Sequence, residues 1–304
     1  MATQPPAANG SAYLLLLLPP LFWAGNVVLA RGIIDLIPPV SLSFWRWTLA
    51  LLLLTPFTWK QVWRDWPVAC KGWKILSLTA FLGIASFNVM LYAAVHTTTA
   101  LNCALMQAAM PAAIILVSFL IDRVRILRRQ AFGTGLCMAG AVYIVLQGKI
   151  DTLLELRFAE GDLIMFIAIF FYAVYTVLVK RRPAIHPLSF LTLIIAIGVL
   201  ILAPLYLIEQ QFTPALVVSR EIVLSIGYVA LFPSILAYLC WNHGIERLGA
   251  NRAGLYINLI PLFAAVMAVL LLGERFQLYH GFGMLLIFAG IGLFNLHNPL
   301  KRRL

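Results

Sequence analysis

Long apolar runs of near-constant length alternate with short polar breaks along the whole chain. Cut at those breaks, the runs are 12–33, 40–59, 74–95, 100–121, 130–147, 161–180, 187–208, 222–243, 252–272 and 279–296. Each is close to the ~20 residues an α-helix needs to cross a bilayer. None alternates apolar and polar positions as a transmembrane strand does. Lipid offers no partner for unpaired backbone groups, so helices are the form such runs take. The pattern predicts an all-α integral membrane protein with ten transmembrane helices.

The pattern also repeats. Ala100, Pro111, Phe132-Gly133 and Ala139-Gly140 recur as Ala250, Pro261, Phe282-Gly283 and Ala289-Gly290, at a constant offset of 150. Earlier pairs keep an offset of 148–149: Phe22-Trp23-Ala24 with Phe171-Tyr172-Ala173, Ser41 with Ser189, and Pro56 with Pro204. The halves are residues 1–148 and 161–304, joined by a linker of mixed charge at 149–160. Five spans per half is an odd number, so the second half enters the membrane from the opposite side. The repeat is therefore expected to be inverted, as in many transporters whose halves meet around a midplane site.

Composition agrees with this reading. Of 304 residues, 62% are hydrophobic and only 11% charged, with a mean hydropathy of +0.95. A soluble domain carries about 25% charged residues. The net charge of +11 sits in short clusters between apolar runs, which points to the membrane surface and not to nucleic acid. With the N-terminus inside, sixteen Lys and Arg fall in inner loops and five in outer loops or span ends. That bias predicts cytoplasmic N- and C-termini. The first run lacks a basic n-region and a clean cleavage site, and is read as a transmembrane helix instead of a signal peptide. Cys70, Cys103, Cys137 and Cys240 lack metal or redox spacing and read as packing residues, so neither a metal nor a cofactor is expected.

The acidic residues are informative by position. All eleven lie in loops or at span ends, whereas a coupled transporter usually relays protons through a buried carboxylate. Facilitated movement down the substrate's own gradient is the expectation. Arg46 is the single clear charge inside a span. It reads either as a partner for a substrate carboxylate or as a structural arginine that snorkels or pairs with carbonyls. Trp23 and Asn26 lie one turn apart, as do Tyr172 and Tyr175 at the equivalent repeat positions, so the pairs should face each other across the pseudo-twofold axis. Asn88 and Tyr92 share a helix face, and so do Tyr238 and Asn242, beside Trp241. Gln107, Met110, Tyr256 and Asn258 complete the candidate lining, drawn from spans 1, 3, 4, 6, 8 and 9 together with Arg46. Aromatic walls with a few neutral polar groups suit a pocket for a small organic molecule, and aromatic faces also attract organic cations. The alternative use of these residues is interhelical hydrogen bonding and packing.

Pro111 and Pro261 occupy equivalent positions and are expected to bend their helices as hinges. Trp59, Trp63, Trp66 and Trp73 read as interface anchors. Gly133, Gly135 and Gly140, mirrored by Gly281, Gly283 and Gly290, allow close helix approach, either within the chain or in a homodimer.

Ten spans in five-plus-five order, the Ala-x10-Pro spacing and the Gly-rich last helices resemble the drug/metabolite transporter superfamily, in particular its EamA-type exporters. The second half carries Tyr238, Trp241-Asn242, Gly249-Ala250, Pro261 and Gly273-Glu274; the first carries Leu21-Phe22-Trp23-Ala24-Gly25-Asn26 and Arg46. The first half departs from the pattern where Val124 stands opposite Glu274. The resemblance implies an inner-membrane exporter of amino acids, metabolites or organic cations in a bacterium, working by alternating access; the YddG-type amino acid exporters are the branch it most suggests. A sugar-phosphate or nucleotide-sugar antiporter would need several cavity cations, and Arg46 is the only candidate. A membrane-embedded enzyme would need a nucleophile, base or metal cluster at depth, and the sequence presents none. The expected partners are a small-molecule substrate and the lipid bilayer.

Overall fold

The computed structural model describes residues 10–33, 36–98, 100–155, 159–213, 219–272 and 275–296. The Gly273-Glu274 motif, Asp35, Arg157 and the terminal Lys301, Arg302 and Arg303 lie outside them.

Among the described residues the helices group into ten segments, and no strand occurs. We number them α1 (Gly10–Leu15 and Leu18–Ile33), α2 (Pro39–Lys71), α3 (Trp73–Thr97), α4 (Ala100–Ala108 and Met110–Asp122) and α5 (Arg128–Val145). The second half gives α6 (Glu160–Arg181), α7 (Pro187–Phe212), α8 (Arg220–Leu248), α9 (Ala250–Leu255, Tyr256–Leu259 and Ile260–Leu272) and α10 (Leu278–Asn295). Seven segments are long and apolar enough to cross a membrane, and the bent pair within α4 makes an eighth. α1 is interrupted near Leu16, and α5 opens on the polar Arg128-Arg129-Gln130. Their repeat equivalents, α6 and α10, do qualify.

Contacts at the helix ends make the inversion visible. We call outer the face carrying the α1–α2 and α3–α4 turns, and inner the face carrying the α2–α3 and α4–α5 turns. At the inner face Arg181 pairs with Asp122, Arg182 with Glu246, and Tyr13 reaches Asn295. At the outer face the Asp162 carboxylate accepts hydrogen bonds from Thr98 Oγ1 (2.6 Å) and Asn102 Nδ2 (3.0 Å), tying α6 to the α3–α4 turn.

Repeat equivalents then pack antiparallel. A Cβ at Gly140 would stand 2.6 Å from Gly283 O, and one at Gly290 would stand 2.5 Å from Gly133 O. These glycines thus let α5 and α10 touch backbone to backbone. Cys137 Sγ donates to Ile287 O at 3.3 Å, a pair separated by the repeat's own 150 residues. Gly133, Gly140, Gly283 and Gly290 thus pack within the chain, whereas a Cβ at Gly135 would meet nothing within 4 Å. α2 and α7 cap each other: Glu209 near the end of α7 accepts from Val40 N (2.9 Å), Ser41 N (2.6 Å) and Ser41 Oγ (2.7 Å) at the start of α2. Asp65 near the end of α2 accepts from His186 N at 2.9 Å, just before α7. Each carboxylate meets the positive end of the opposing helix.

Three features depart from regular helices. α2 continues past the expected residue 59 to Lys71. At 1.5 Å per residue that length exceeds the ~30 Å hydrocarbon core, so its last turns lie beyond it. Trp59, Trp63 and Trp66 are exposed on this extension at the spacing of one helix face. Second, π-helical turns occupy Phe81–Ser86 in α3 and Ala230–Leu236 in α8, at equivalent repeat positions. Third, the first helix of each half is exchanged. α1 packs against α8 and α9 of the second half, and α6 packs against α3 and α4 of the first.

Candidate substrate site

The exchange of α1 and α6 and the two π-turns build the centre of the molecule. A π-turn shifts the hydrogen-bond register and frees carbonyls for side chains. Pro233 O accepts from Trp23 Nε1 (3.1 Å) and Arg46 Nη2 (3.3 Å). Gly83 O accepts from Tyr238 OH at 2.6 Å. Gly83 also makes room for Tyr175, since a Cβ there would sit 2.4 Å from that ring.

Arg46 lies seven residues into α2, about 10 Å below the helix start at 1.5 Å per residue. It is 1% exposed. Its Nε donates to Ser234 Oγ (2.6 Å), and its Nη1 to Asn88 Oδ1 (2.8 Å) and Tyr92 OH (2.8 Å). The guanidinium carbon stands 4.9 Å from the centre of the Trp47 ring. Every one of these partners is neutral. A guanidinium has five N–H donors. Four are engaged, which leaves one Nη2 hydrogen without a partner among the described residues.

Arg46 lines a narrow cavity of about 30 Å3. Trp23, Asn26, Arg46, Asn88, Gln107, Met110, Tyr172 and Tyr238 line it together with the apolar Phe87, Leu91, Ile257 and Ile260. The lining thus comes from α1, α2, α3, α4, α6, α8 and α9, and α2 contributes only Arg46. The Tyr172 hydroxyl is buried with no hydrogen-bond partner. None of the described acids lines the cavity.

The expected facing pairs meet, in an exchanged arrangement. Trp23 and Tyr172 pack edge to face with ring centres 5.9 Å apart. Asn26 instead accepts a hydrogen bond from Tyr92 OH at 3.1 Å, joining α1 to α3. Asn242 accepts one from Tyr175 OH at 2.8 Å, joining α8 to α6. By the repeat, Asn26 corresponds to Tyr175 and Tyr92 to Asn242. The two bridges are therefore one contact drawn twice with donor and acceptor exchanged. Because α1 sits with α8 and α9, and α6 with α3 and α4, each bridge joins the two helix groups. Tyr92 lies five residues from the outer end of α3, and Tyr175 six residues from the inner end of α6. The cavity lies between them. On its inner side Trp241 packs against Trp23 (5.3 Å) and Tyr172 (6.1 Å), extending the aromatic layer formed with Tyr238 and Tyr175.

Six residues expected in the lining are not there: Tyr92, Tyr175, Trp241 and Asn242, which form the bridges and the aromatic layer beside the cavity, and Tyr256 and Asn258. Tyr256 and Asn258 are buried in a 3-10 turn, Tyr256–Leu259, of which Ile257 is the residue that lines the cavity. With its amide oriented to suit its neighbours, Asn258 donates to Ala108 O (3.2 Å) and accepts from Met138 N (3.3 Å). It thus ties α9 to α4 and α5. Pro111 and Pro261 each stand at the second residue of a helical segment after a break, and the α4 break bends by 41°. Ser234, Pro233 and Gly83 went unnoticed in the sequence because their roles come from the π-turns. Phe87 and Leu91 were detectable as the flanking turn of Asn88.

An inverted-repeat helical bundle enclosing a polar-lined cavity at mid-depth defines a membrane transporter. The profile of the EamA-like transporter family matches the chain twice, over residues 10–146 and 159–296, and the chain belongs to that family. It is 26% identical over 283 residues to the uncharacterized transporter YyaM of Bacillus subtilis, covering 92% of each chain. It is 27% identical over 288 residues to an uncharacterized transporter of Archaeoglobus fulgidus, covering 94% of this chain and 97% of that one. One crystal structure shares the fold with a TM-score of 0.72 at 17% identity, covering 96% of this chain and 99% of its own.

Proposed function

We propose that the protein moves small carboxylate-bearing metabolites, foremost neutral and aromatic amino acids, out of the cell across a bacterial inner membrane. The observation that carries this reading is Arg46: a buried positive charge on the cavity wall, bonded only to neutral groups, with one N–H left over. A carboxylate in the cavity supplies the missing counter-charge, and Tyr172 OH offers it a second donor. The Trp23, Phe87 and Tyr238 rings, with Leu91 and Ile260, receive an apolar side chain. The same positive charge disfavours organic cations, and a single cation suits a carboxylate better than a phosphate, which carries more charge.

The two Tyr–Asn bridges act as latches at the two mouths of the cavity. Release of Asn26–Tyr92 opens the outer mouth, and release of Tyr175–Asn242 opens the inner one. With both closed, the arrangement corresponds to an occluded state between the open forms of alternating access. None of the described acids lines the cavity, which supports transport that follows the substrate gradient. The basic clusters in the loops of the inner face support an orientation with that face toward the cytoplasm.

The test is counterflow in proteoliposomes with no pH gradient. Unlabelled neutral amino acid inside should drive uptake of labelled amino acid, with the product chemically unchanged. Strict dependence on a proton gradient, or chemical alteration of the substrate, would overturn the reading.

A further inference from the structure

The inner half of α4 and the start of α5 diverge to leave a groove of about 590 Å3 on the lateral surface. Its floor is apolar and small: Ala112, Leu116, Phe119, Ala131, Gly135 and Met138. A Cβ at Gly135 would meet nothing within 4 Å. The groove opens at the turn where Arg123, in the left-handed conformation (φ 54°), ends α4. Arg125 forms part of its lining. Arg123 stands 5.9 Å over the Phe119 ring at the rim, and Arg128 and Arg129 begin α5. Arg129 Nε is buried without a hydrogen-bond partner. The nearest acid in sequence, Asp122, is paired with Arg181. Positions 150 residues later hold Gly273, Arg275, Leu278 and Tyr279, so the basic cluster belongs to one half and one face only.

We propose that this groove binds an anionic phospholipid from the leaflet at the inner face. One acyl chain lies along α4 and α5 over Gly135, and the phosphate and its negative headgroup meet Arg125, Arg128 and Arg129. Charge complementarity selects the occupant: a mostly apolar groove has Arg125 in its lining, Arg128 and Arg129 open the adjoining helix, and none of the described acids lines it. A zwitterionic phospholipid fills the slot equally well but lacks the net charge. The site is separate from the cavity and does not depend on the nature of the transported substrate.

The test is native mass spectrometry of the intact protein released from mixed phosphatidylglycerol and phosphatidylcholine. The wild type should retain phosphatidylglycerol in preference. Each of Arg125→Gln, Arg128→Gln and Arg129→Gln should weaken that preference about fivefold, the equivalent of about 1 kcal/mol per basic residue near a charged leaflet. Gly135→Phe fills the slot while leaving all arginines, and should lower retention of both lipids. Lys60→Gln with Arg64→Gln, exposed basic positions elsewhere on the inner face, should leave the preference intact. Inorganic phosphate should not displace the bound lipid. Equal retention of the two lipids by the wild type would overturn the proposal, and so would unchanged retention in Gly135→Phe or displacement by phosphate.

Discussion

Tyr175→Phe isolates one latch. The substitution removes a single hydroxyl from a fully buried ring, leaves the ring packing against Tyr172 and Tyr238, and deletes one hydrogen bond, that to Asn242 Oδ1 at 2.8 Å. Tyr92 is less clean, because its hydroxyl also receives Arg46 Nη1. A buried neutral hydrogen bond contributes about 1 kcal/mol net, and an acceptor left buried and unpaired costs about 1–3 kcal/mol. In the inner-open form water reaches Asn242, so the penalty falls mainly on the closed form. The closed-to-open ratio at the inner mouth should then fall by roughly 5- to 150-fold. Spin labels at the exposed Arg123 and Arg247 positions report the separation of the α4 and α8 inner ends by electron–electron resonance. Tyr175→Phe should enrich the longer distances, and the equivalent outer-face pair should not move with it. Identical inner-face distributions in wild type and variant would refute the latch.

Other outcomes follow from the same geometry. Arg46→Gln should lower substrate affinity by about 2–4 kcal/mol, roughly 30- to 1000-fold, measured by competition in proteoliposomes. Arg46→Lys should retain part of that affinity because the charge survives. Tyr172→Phe should weaken binding by about 1 kcal/mol, roughly fivefold, with little change in melting temperature, because its hydroxyl has no partner among the described residues. Gly290→Leu should lower the melting temperature in detergent by several degrees, because its side chain meets the backbone of α5 where even a Cβ comes within 2.5 Å. Gly135→Leu, whose Cβ faces open space, should leave it near the wild-type value.

The helical class and the duplication were legible in the sequence because bilayer thickness sets run length and identical spacings expose the repeat. The family match over both halves agrees with that reading. Arg46 stood out because charge inside a span is costly, and the Asn and Tyr pairs stood out because amides facing lipid are costly. Which Asn met which Tyr was not legible. That depends on α1 and α6 changing places between the halves, a long-range choice with no local signature. The π-turns were equally hidden, although Ser234 and the Pro233 and Gly83 carbonyls owe their contacts to them. Tyr256 and Asn258 were expected in the lining because polar groups avoid lipid; they do face the interior, but away from the cavity, and Asn258 bonds α4 and α5 instead. The extension of α2 to Lys71 was missed because its Trp and Lys residues resemble a loop at a membrane interface.

The central claim is that Arg46 recognises a carboxylate. The most direct measurement compares a neutral amino acid with its own carboxamide as competitors in proteoliposome counterflow, in wild type and in Arg46→Gln. The amide keeps the shape of the acid but loses its negative charge and carries an NH2 donor where the acid has an acceptor oxygen. The account predicts that the wild type prefers the acid by roughly 30-fold or more and that Arg46→Gln abolishes the preference. Equal competition by acid and amide in the wild type, or a preference that survives loss of the arginine, would contradict it.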